Sequence, residues 1–393
     1  MTPLTAVQVG AGWFSENPGG LDRYYHDLIE ALPEVGVQCR GLVVGTGSVD
    51  SETDGTVRTF AAPDDPLLRR WRSARQAVRR VWASLPPADQ RVLVTHFALY
   101  AYPLLKERNS RPWVVHFHGP WAAESAREGA GRVATWVKRR LEKSVYRKAD
   151  RVIVLSDAFR DLLCQTYGVD PARVTVIPGG VDSDRFVDAV AQSRVEARRQ
   201  FGWPTDRPTV LAVRRLTARM GLETLIEAMK TVRQRVPNAL CLIAGRGPLA
   251  ESLVHMIDAA GLAETITPLG FVPDEDLPLA YRAADVTIMP SETLEGFGLS
   301  AAESLAAGTP VLVTPVGGLP EVVRGLDPKL ILPDATAAAI ANALSAALAD
   351  PSTLPSAEAC RTYAQQTFDW HVIAARIAAV YADAVAAKRP NTR

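Results

Sequence analysis

Little in this chain is suited to cross-linking by sulfur or metal. Only four cysteines occur in 393 residues, Cys39, Cys164, Cys241 and Cys360. They are widely scattered and form no Cys-x-x-Cys pair, which argues against a zinc site and a disulfide framework and suits a reducing compartment. A dominant charge is also lacking, since 44 Lys+Arg stand against 43 Asp+Glu for a formal net charge of +1. No global field recruits nucleic acid, so no nucleic-acid partner is expected. No stretch of about 18 uninterrupted apolar residues offers a membrane span. The Ala-rich segment 336–348 has the spacing of a surface helix instead. The start, Met1-Thr2-Pro3-Leu4, runs straight into a strand-like segment with no basic n-region, so the expectation is a cytoplasmic chain without a secretory signal. No internal repeat is legible, which excludes a solenoid.

What is present is ordinary globular material, 47% hydrophobic and 22% charged, in a chain long enough for two cores of roughly 150–200 residues each. Short β-branched runs alternate with amphipathic stretches. Strands are expected at 6–10, 41–45, 92–97, 113–117, 151–155 and 174–177, then at 209–213, 239–244, 286–289 and 311–314. Continuous apolar strands separated by helices indicate parallel sheets buried on both faces. Two such series predict two doubly wound α/β domains. The break falls near 178–190, where Pro178-Gly179-Gly180-Val181-Asp182 leaves the last strand of the first series, and 371–386 reads as a long helix after the second sheet is complete.

The most informative string is Pro290-Ser291-Glu292-Thr293-Leu294-Glu295-Gly296-Phe297-Gly298-Leu299-Ser300-Ala301-Ala302-Glu303. A buried strand ends at Pro290, a glycine-containing loop follows, and a helix begins near Gly298. In an open α/β sheet that corner binds ligands. The amides of Phe297, Gly298 and Leu299 would face an anion such as a diphosphate at the helix start. Glu295 can accept hydrogen bonds from sugar hydroxyls, and Glu303, inside the helix, from a vicinal pair such as those of a ribose. Taken singly, each glutamate reads as a helix-start charge or a solvated residue; the whole string reads as a site. Near the N-terminus, Gly19 and Gly20 open a helix after the first strand and let backbone approach a ligand closely. Gly10-Ala11-Gly12 does not complete a dinucleotide fingerprint, because the sixth position is Ser15 and no acidic residue closes a second strand.

The run Glu295-Gly296-Phe297-Gly298-Leu299 followed by Glu303 resembles the EX7E motif of the family 4 glycosyltransferases, and the resemblance extends over nearly the whole chain. It implies the GT-B fold: two facing Rossmann-like, doubly wound parallel-sheet domains with a central cleft. Residues 1–186 would form the acceptor-binding domain and 187–370 the donor-binding domain, with the helix at about 371–386 packing back on the first. The implied activity is that of a retaining hexosyltransferase using a UDP-sugar or GDP-sugar donor, in polysaccharide, glycolipid or glycoside biosynthesis. Gly19 and Gly20 look like the family's glycine loop, which faces the donor's diphosphate and the acceptor. His118, in His116-Phe117-His118-Gly119-Pro120, matches a histidine at the transferred sugar; His96 is a weaker candidate for lining the cleft. Arg215, in Arg214-Arg215-Leu216-Thr217-Ala218-Arg219-Met220-Gly221, matches the arginine that grips the diphosphate, where a planar bidentate donor suits phosphate oxygens. The family pattern is Gly-Arg-Leu, three variable residues, then Lys-Gly. This chain has Met220 in place of the lysine, and Arg219 or Arg214 could replace the missing charge. Gly247, in Gly245-Arg246-Gly247-Pro248, resembles the loop beside the base, and Gly317-Gly318 a glycine pair near the donor.

The resemblance implies no cofactor beyond the nucleoside-diphosphate sugar, and no metal, because arginine and helix dipoles would neutralise the diphosphate. Asp182-Ser183-Asp184 is formally a DxD metal signature of a different fold, but here it reads as a turn in the interdomain crossing. Two basic stretches, 69–80 and 132–148, carry interspersed Trp and Val. They read equally as solvated faces or as peripheral contacts to the inner face of a membrane, which would suit a lipid-linked acceptor. The acceptor is otherwise unidentified. Other readings with the same fold are a sugar-nucleotide epimerase, a phosphorylase, or an inactive sugar-nucleotide sensor.

Overall fold

The computed structural model describes residues 4–86 and 90–388. They form two compact units, one made of the chain up to Gly180 together with the stretch from Trp370 onward, the other of Val181–Asp369. The division falls a few residues before the expected 186/187. Val181 N donates to Phe368 O at 2.7 Å, and Phe186, buried at the end of the turn Ser183–Phe186, belongs to the second unit. That hydrogen bond and that burial draw residues 181–186 across.

The first unit is a seven-stranded sheet with strand order β3-β2-β1-β4-β5-β6-β7. Its strands are β1 (Leu4–Val9), β2 (Val37–Val44), β3 (Val57–Ala61), β4 (Gln90–Thr95), β5 (Trp113–Phe117), β6 (Arg151–Val154) and β7 (Val174–Val176). All its pairings are parallel. The second unit is a five-stranded parallel sheet, order β10-β9-β8-β11-β12, built from β8 (Thr209–Val213), β9 (Leu240–Ala244), β10 (Ile266–Gly270), β11 (Val286–Met289) and β12 (Val311–Val313). In each sheet the chain starts in the interior, winds to one edge, then returns to the other side of the first strand. The reversal points lie between β1 and β4 and between β8 and β11, and ligands settle beyond the carboxyl ends of strands at such points.

Two strands, β3 and β10, fall outside the expected set. Both are edge strands. β10 reads Ile-Thr-Pro-Leu-Gly and is exposed at Thr267, Pro268 and Gly270. An edge tolerates proline because one row of N–H groups needs no partner.

The helix Trp370–Lys388 is long and apolar enough by composition to cross a membrane. Its Ile373, Ala374, Ile377, Tyr381 and Ala384 are instead fully buried, in one core cluster with Val92, Val114 and Ile153 of the first sheet. The side chain of Trp370 covers Gly180, where a Cβ would meet the indole at 2.3 Å.

Candidate functional site

At the reversal point of the second sheet, β8 delivers Arg214-Arg215-Leu216 and β11 delivers Pro290-Ser291. Of the two adjacent arginines, Arg214 turns inward and is 8% exposed, whereas Arg215 is exposed. Arg214 Nη2 donates to Glu295 Oε2 and to Ser291 Oγ, and lies 2.8 Å from Met220 Sδ. The Ser291 hydroxyl also donates to Glu295 Oε2, at 3.2 Å. Burial pushes the Glu295 carboxyl up, but the charge and hydrogen bond of Arg214, the charge of Arg219 and the Ser291 hydroxyl outweigh it. The group is held below the ordinary carboxylate value. The arginine that meets Glu295 is thus Arg214, which sequence reading named only as a substitute for the missing lysine charge; Arg215 was expected at the diphosphate, not at this carboxylate.

The loop bearing Glu295 is clamped from two sides. Arg219 Nη1 donates to Leu294 O at 2.9 Å, and Glu292 N donates to Arg219 O at 3.0 Å, so Arg219 stitches its own loop to this one. Leu294 sits at φ +56°, a left-handed conformation that an ordinary side chain adopts at a cost. On the other side a Cβ at Gly317, itself at φ +56°, would lie 1.9 Å from Glu295 O, and Gly318 N donates to that oxygen at 2.9 Å. Only glycine allows the β12 loop to press this close.

Beyond Glu295 the helix Leu299–Ala306 starts at Gly298, φ +96°, where a Cβ would meet Leu319 Cδ2 at 2.5 Å. Among the described residues no acceptor takes the amides of Phe297, Gly298 or Leu299. Three free N–H groups at a helix start make an anion site. The Phe297 ring itself is core, 5.4 Å from that of Phe368. Glu303 is 5% exposed and accepts from the Tyr281 hydroxyl at 2.9 Å, so it is a buried, oriented acceptor and not a solvated surface charge.

Beside this corner lies a cavity of about 380 Å³ whose walls include Leu216, Ile243, Gly245, Gly247, Pro268 and Phe271. The Arg246 guanidinium stands 4.0 Å from the Phe271 ring centroid. Apolar walls with one aromatic face and a stacked guanidinium suit a planar heteroaromatic group. Gly247 was foreseen in this loop; Phe271, on a loop after an unforeseen edge strand, was not.

In the first unit, His96 follows β4 and His118 follows β5, and the register Thr95↔Val115 sets His96 beside His116. The His116 and His118 rings lie within 13° of parallel, on the one side of the sheet to which strand alternation sends both. His96 Nε2 is 2.7 Å from Gln8 Oε1, an acceptor, so that nitrogen carries the proton. His96 Nδ1 is then an acceptor for His118 Nε2 at 3.3 Å. The chain Gln8–His96–His118 thus leaves His118 Nδ1 as the free lone pair. His116 bonds Tyr24 OH at 3.1 Å and Tyr381 OH at 2.9 Å. Burial holds all three imidazoles below their ordinary value, hence neutral. Their candidate ligand nitrogens lie within 4.8 Å of one another. The three rings are stacked near-parallel, and every ring nitrogen but His118 Nδ1 has a hydrogen-bond partner.

Gly19 is extended (φ −168°) and caps the helix Gly20–Ala31. Around Gly20 nothing stands within 4 Å of a built Cβ, and around Gly19 only Asn17 O at 3.9 Å. Packing therefore requires glycine at neither position. Asp182 Oδ1 accepts from Asp184 N at 3.0 Å, so the formal DxD is a capped turn, as its setting suggested.

The two basic stretches separate. In the helix Leu67–Ser84, Arg75 Nε and Arg79 Nε both donate to Glu107 at 2.9 Å, joined there by Arg111, and Arg70 donates to Tyr100 OH at 2.9 Å. With Arg69 ion-paired to Asp65 at 3.1 Å, four of the six arginines of 69–80 thus have partners within the unit. The helix Arg132–Tyr146 differs: Val133, Trp136 and Val137 are 78%, 58% and 44% exposed.

Comparison with known proteins agrees with this geometry. Residues 18–185 match the family described as Glycosyltransferase Family 4, and residues 193–367 match Glycosyl transferases group 1. A GDP-mannose-dependent alpha-(1-6)-phosphatidylinositol monomannoside mannosyltransferase of Mycobacterium tuberculosis is 31% identical over 63% of this chain and 66% of its own. A D-inositol 3-phosphate glycosyltransferase of Salinispora arenicola is 30% identical over 93% of this chain and 82% of its own. Among solved structures, a sucrose-phosphate synthase from Thermosynechococcus elongatus superposes with TM-score 0.79 at 26% identity, covering 98% of this chain and 100% of that one.

Proposed function

The chain belongs to the family 4 glycosyltransferases, with the GT-B fold, and from that premise we propose that it moves a hexosyl group from a nucleoside-diphosphate sugar to an acceptor hydroxyl with retention of configuration. The observation that carries this reading is the row of groups along one corner of the second unit. In order these are a cavity of about 380 Å³ at Gly247 and Phe271, an oriented buried carboxylate at Glu303, three free amides at 297–299 and an ionised carboxylate at Glu295.

A nucleotide sugar laid along it puts its base in the cavity and its ribose hydroxyls on Glu303. The diphosphate rests on the three amides, with Arg215 exposed and free to close on it. The hexose hydroxyls bond to Glu295. Charge then develops on the leaving diphosphate, where preoriented N–H groups and arginine stabilise it; no metal ion is needed for that step, and no side chain need become covalently attached. In the first unit, His118 presents a neutral lone pair at Nδ1 and Gly19-Gly20 a bare helix start, the two features proposed to serve the acceptor side. The proposed acceptor is lipid-linked and reached from the inner face of a membrane. That is supported by the exposed Val133, Trp136 and Val137 among Arg132, Lys138, Arg139 and Arg140, and by the lipid named for the mycobacterial relative.

A thermal-shift series with UDP, GDP and ADP, followed by nucleoside-diphosphate release from the matching sugar nucleotides, tests the reading. One nucleotide should raise the melting temperature and its sugar conjugate should release diphosphate on turnover. No shift with any of them would sink the reading; a shift without release would favour the sensor.

A further inference from the structure

Arg214 and Met220 are the two positions at which the second unit departs from the pattern Gly-Arg-Leu, three residues, Lys-Gly. The structure brings them together: Arg214 Nη2 lies 2.8 Å from Met220 Sδ. Met220 is 5% exposed and Arg214 8%, so the contact is out of water. A charged side chain so buried persists only when paired, and Arg214 is paired with Glu295 and Ser291. One of its donors, Nε, is buried with no partner among the described residues, an uncompensated cost in a site built for stability alone. The neighbouring thioether carries no charge. A lysine in its place would bring an ammonium into the same buried pocket as the guanidinium, and two buried cations in proximity repel strongly. Glycine at 214 beside methionine would conversely leave Glu295 with no buried cation from this loop.

We infer that Arg214 is the positioning cation of the Glu295 site, and that Met220 is the neutral residue its presence requires, so that the two positions work only as a pair. Cation at 214 with a neutral residue at 220 is one solution, and glycine at 214 with lysine at 220 is the other. In this chain the charge comes from the end of β8, not from the following loop. Arg214 acts through Glu295, holding the carboxylate ionised and fixed toward the sugar, while Arg215 remains exposed at the neighbouring position. The inference rests on the donor-site reading given above.

The test is a double-variant cycle on the full chain, comparing the unmodified protein with Arg214→Gly, Met220→Lys and the two combined, and with Arg214→Lys added. Steady-state nucleoside-diphosphate release gives kcat and donor KM, and ligand-free melting temperature reports the fold. Each single exchange should lower kcat/KM by about 30-fold or more, and the double variant should recover to within about 10-fold of the unmodified protein. Arg214→Lys, which keeps the charge without the fork, should retain more activity than Arg214→Gly. A merely structural arginine would not produce recovery in the double variant, because removing two packed side chains adds damage. Additive losses, or single variants as active as the unmodified protein, would overturn the inference while leaving the donor-site reading intact. Absence of nucleotide binding and release in the unmodified protein would overturn that reading instead, and this inference with it. If Arg214→Gly fails to fold, recovery of Met220→Lys on adding the glycine still decides the matter.

Discussion

At the scale of single residues the chain places two buried carboxyl groups under opposite influences. Glu295 is kept ionised by Arg214, whereas Glu142, fully buried in the first unit, has no cation beside it among the described residues. Glu142 accepts from Tyr167 OH at 2.8 Å and from Ala122 N at 3.2 Å, and its Oε1 finds no partner. Burial outweighs those hydrogen bonds and pushes the carboxyl up to about 7 from 4.5. A carboxyl raised on folding contributes stability that is fully present below its ordinary value and is lost as pH rises through the folded one. The window is therefore about pH 4.5 to 7. Urea unfolding of the unmodified protein and of Glu142→Gln should show the variant gaining roughly 1–3 kcal/mol relative to the original between pH 5 and 8. A difference that does not change with pH would mean the carboxyl is already ionised at pH 5. Glu303 makes a different prediction. Its carboxylate is held by Tyr281 before any ligand arrives, so Glu303→Ala should raise donor KM by about 10-fold or more and move kcat much less. Full activity at low donor concentration would remove Glu303 from the donor site.

At the scale of elements, much was legible and the rest was hidden for definite reasons. Interior strands announce themselves as continuous apolar runs because both faces are covered, which is why β1, β4, β5 and β11 are plain in the sequence. The same property conceals which of two residues leaving such a strand turns inward. β8 is buried nearly throughout, so no alternation marks Arg214 over Arg215. The edge strands β3 and β10 lack the run and carry polar residues or proline. Glu295 and Glu303 were legible because one loop and one helix carry both; the link from Gln8 through His96 to His118 was not, since it joins three strands distant in sequence. In the helix Arg132–Tyr146, Val133, Trp136 and Val137 stay outside, with the Arg140 guanidinium 4.9 Å from the Trp136 ring centroid. A tryptophan flanked by cations suits the headgroup boundary of an anionic bilayer. Sedimentation with phosphatidylglycerol-containing vesicles should capture the protein at low salt and release it at high salt, with weak capture by phosphatidylcholine alone. Val133→Ser combined with Trp136→Ser should abolish capture without changing the melting temperature. Equal capture of the variant would remove this helix from the proposed contact.

At the scale of the whole molecule, the two units differ in how the chain builds them. The second is continuous from Val181 to Asp369, whereas the first is completed only when the helix Trp370–Lys388 returns to its sheet. That helix supplies Ile373, Ile377 and Tyr381 to the core, and the Tyr381 hydroxyl bonds His116 Nε2 at 2.9 Å. The first unit therefore depends on the last segment of the chain, and the donor groups of the second do not. Ile377→Asp separates the two in the full-length protein. An unpaired carboxylate at a fully buried position costs several kcal/mol, about enough to unfold a core of ordinary stability. Calorimetry should show the first unit's transition lost or moved to much lower temperature, with a second transition retained. The nucleotide that stabilises the unmodified protein should still raise that remaining transition, because the cavity, Glu303 and the amides 297–299 all belong to Val181–Asp369. Transfer to acceptor should disappear in the same variant, since His118 sits in the unit that has lost its core. Loss of the nucleotide-dependent shift along with the first unit would show that the donor groups need more than the second unit to bind. Retained transfer would show that the C-terminal helix is dispensable to the first unit.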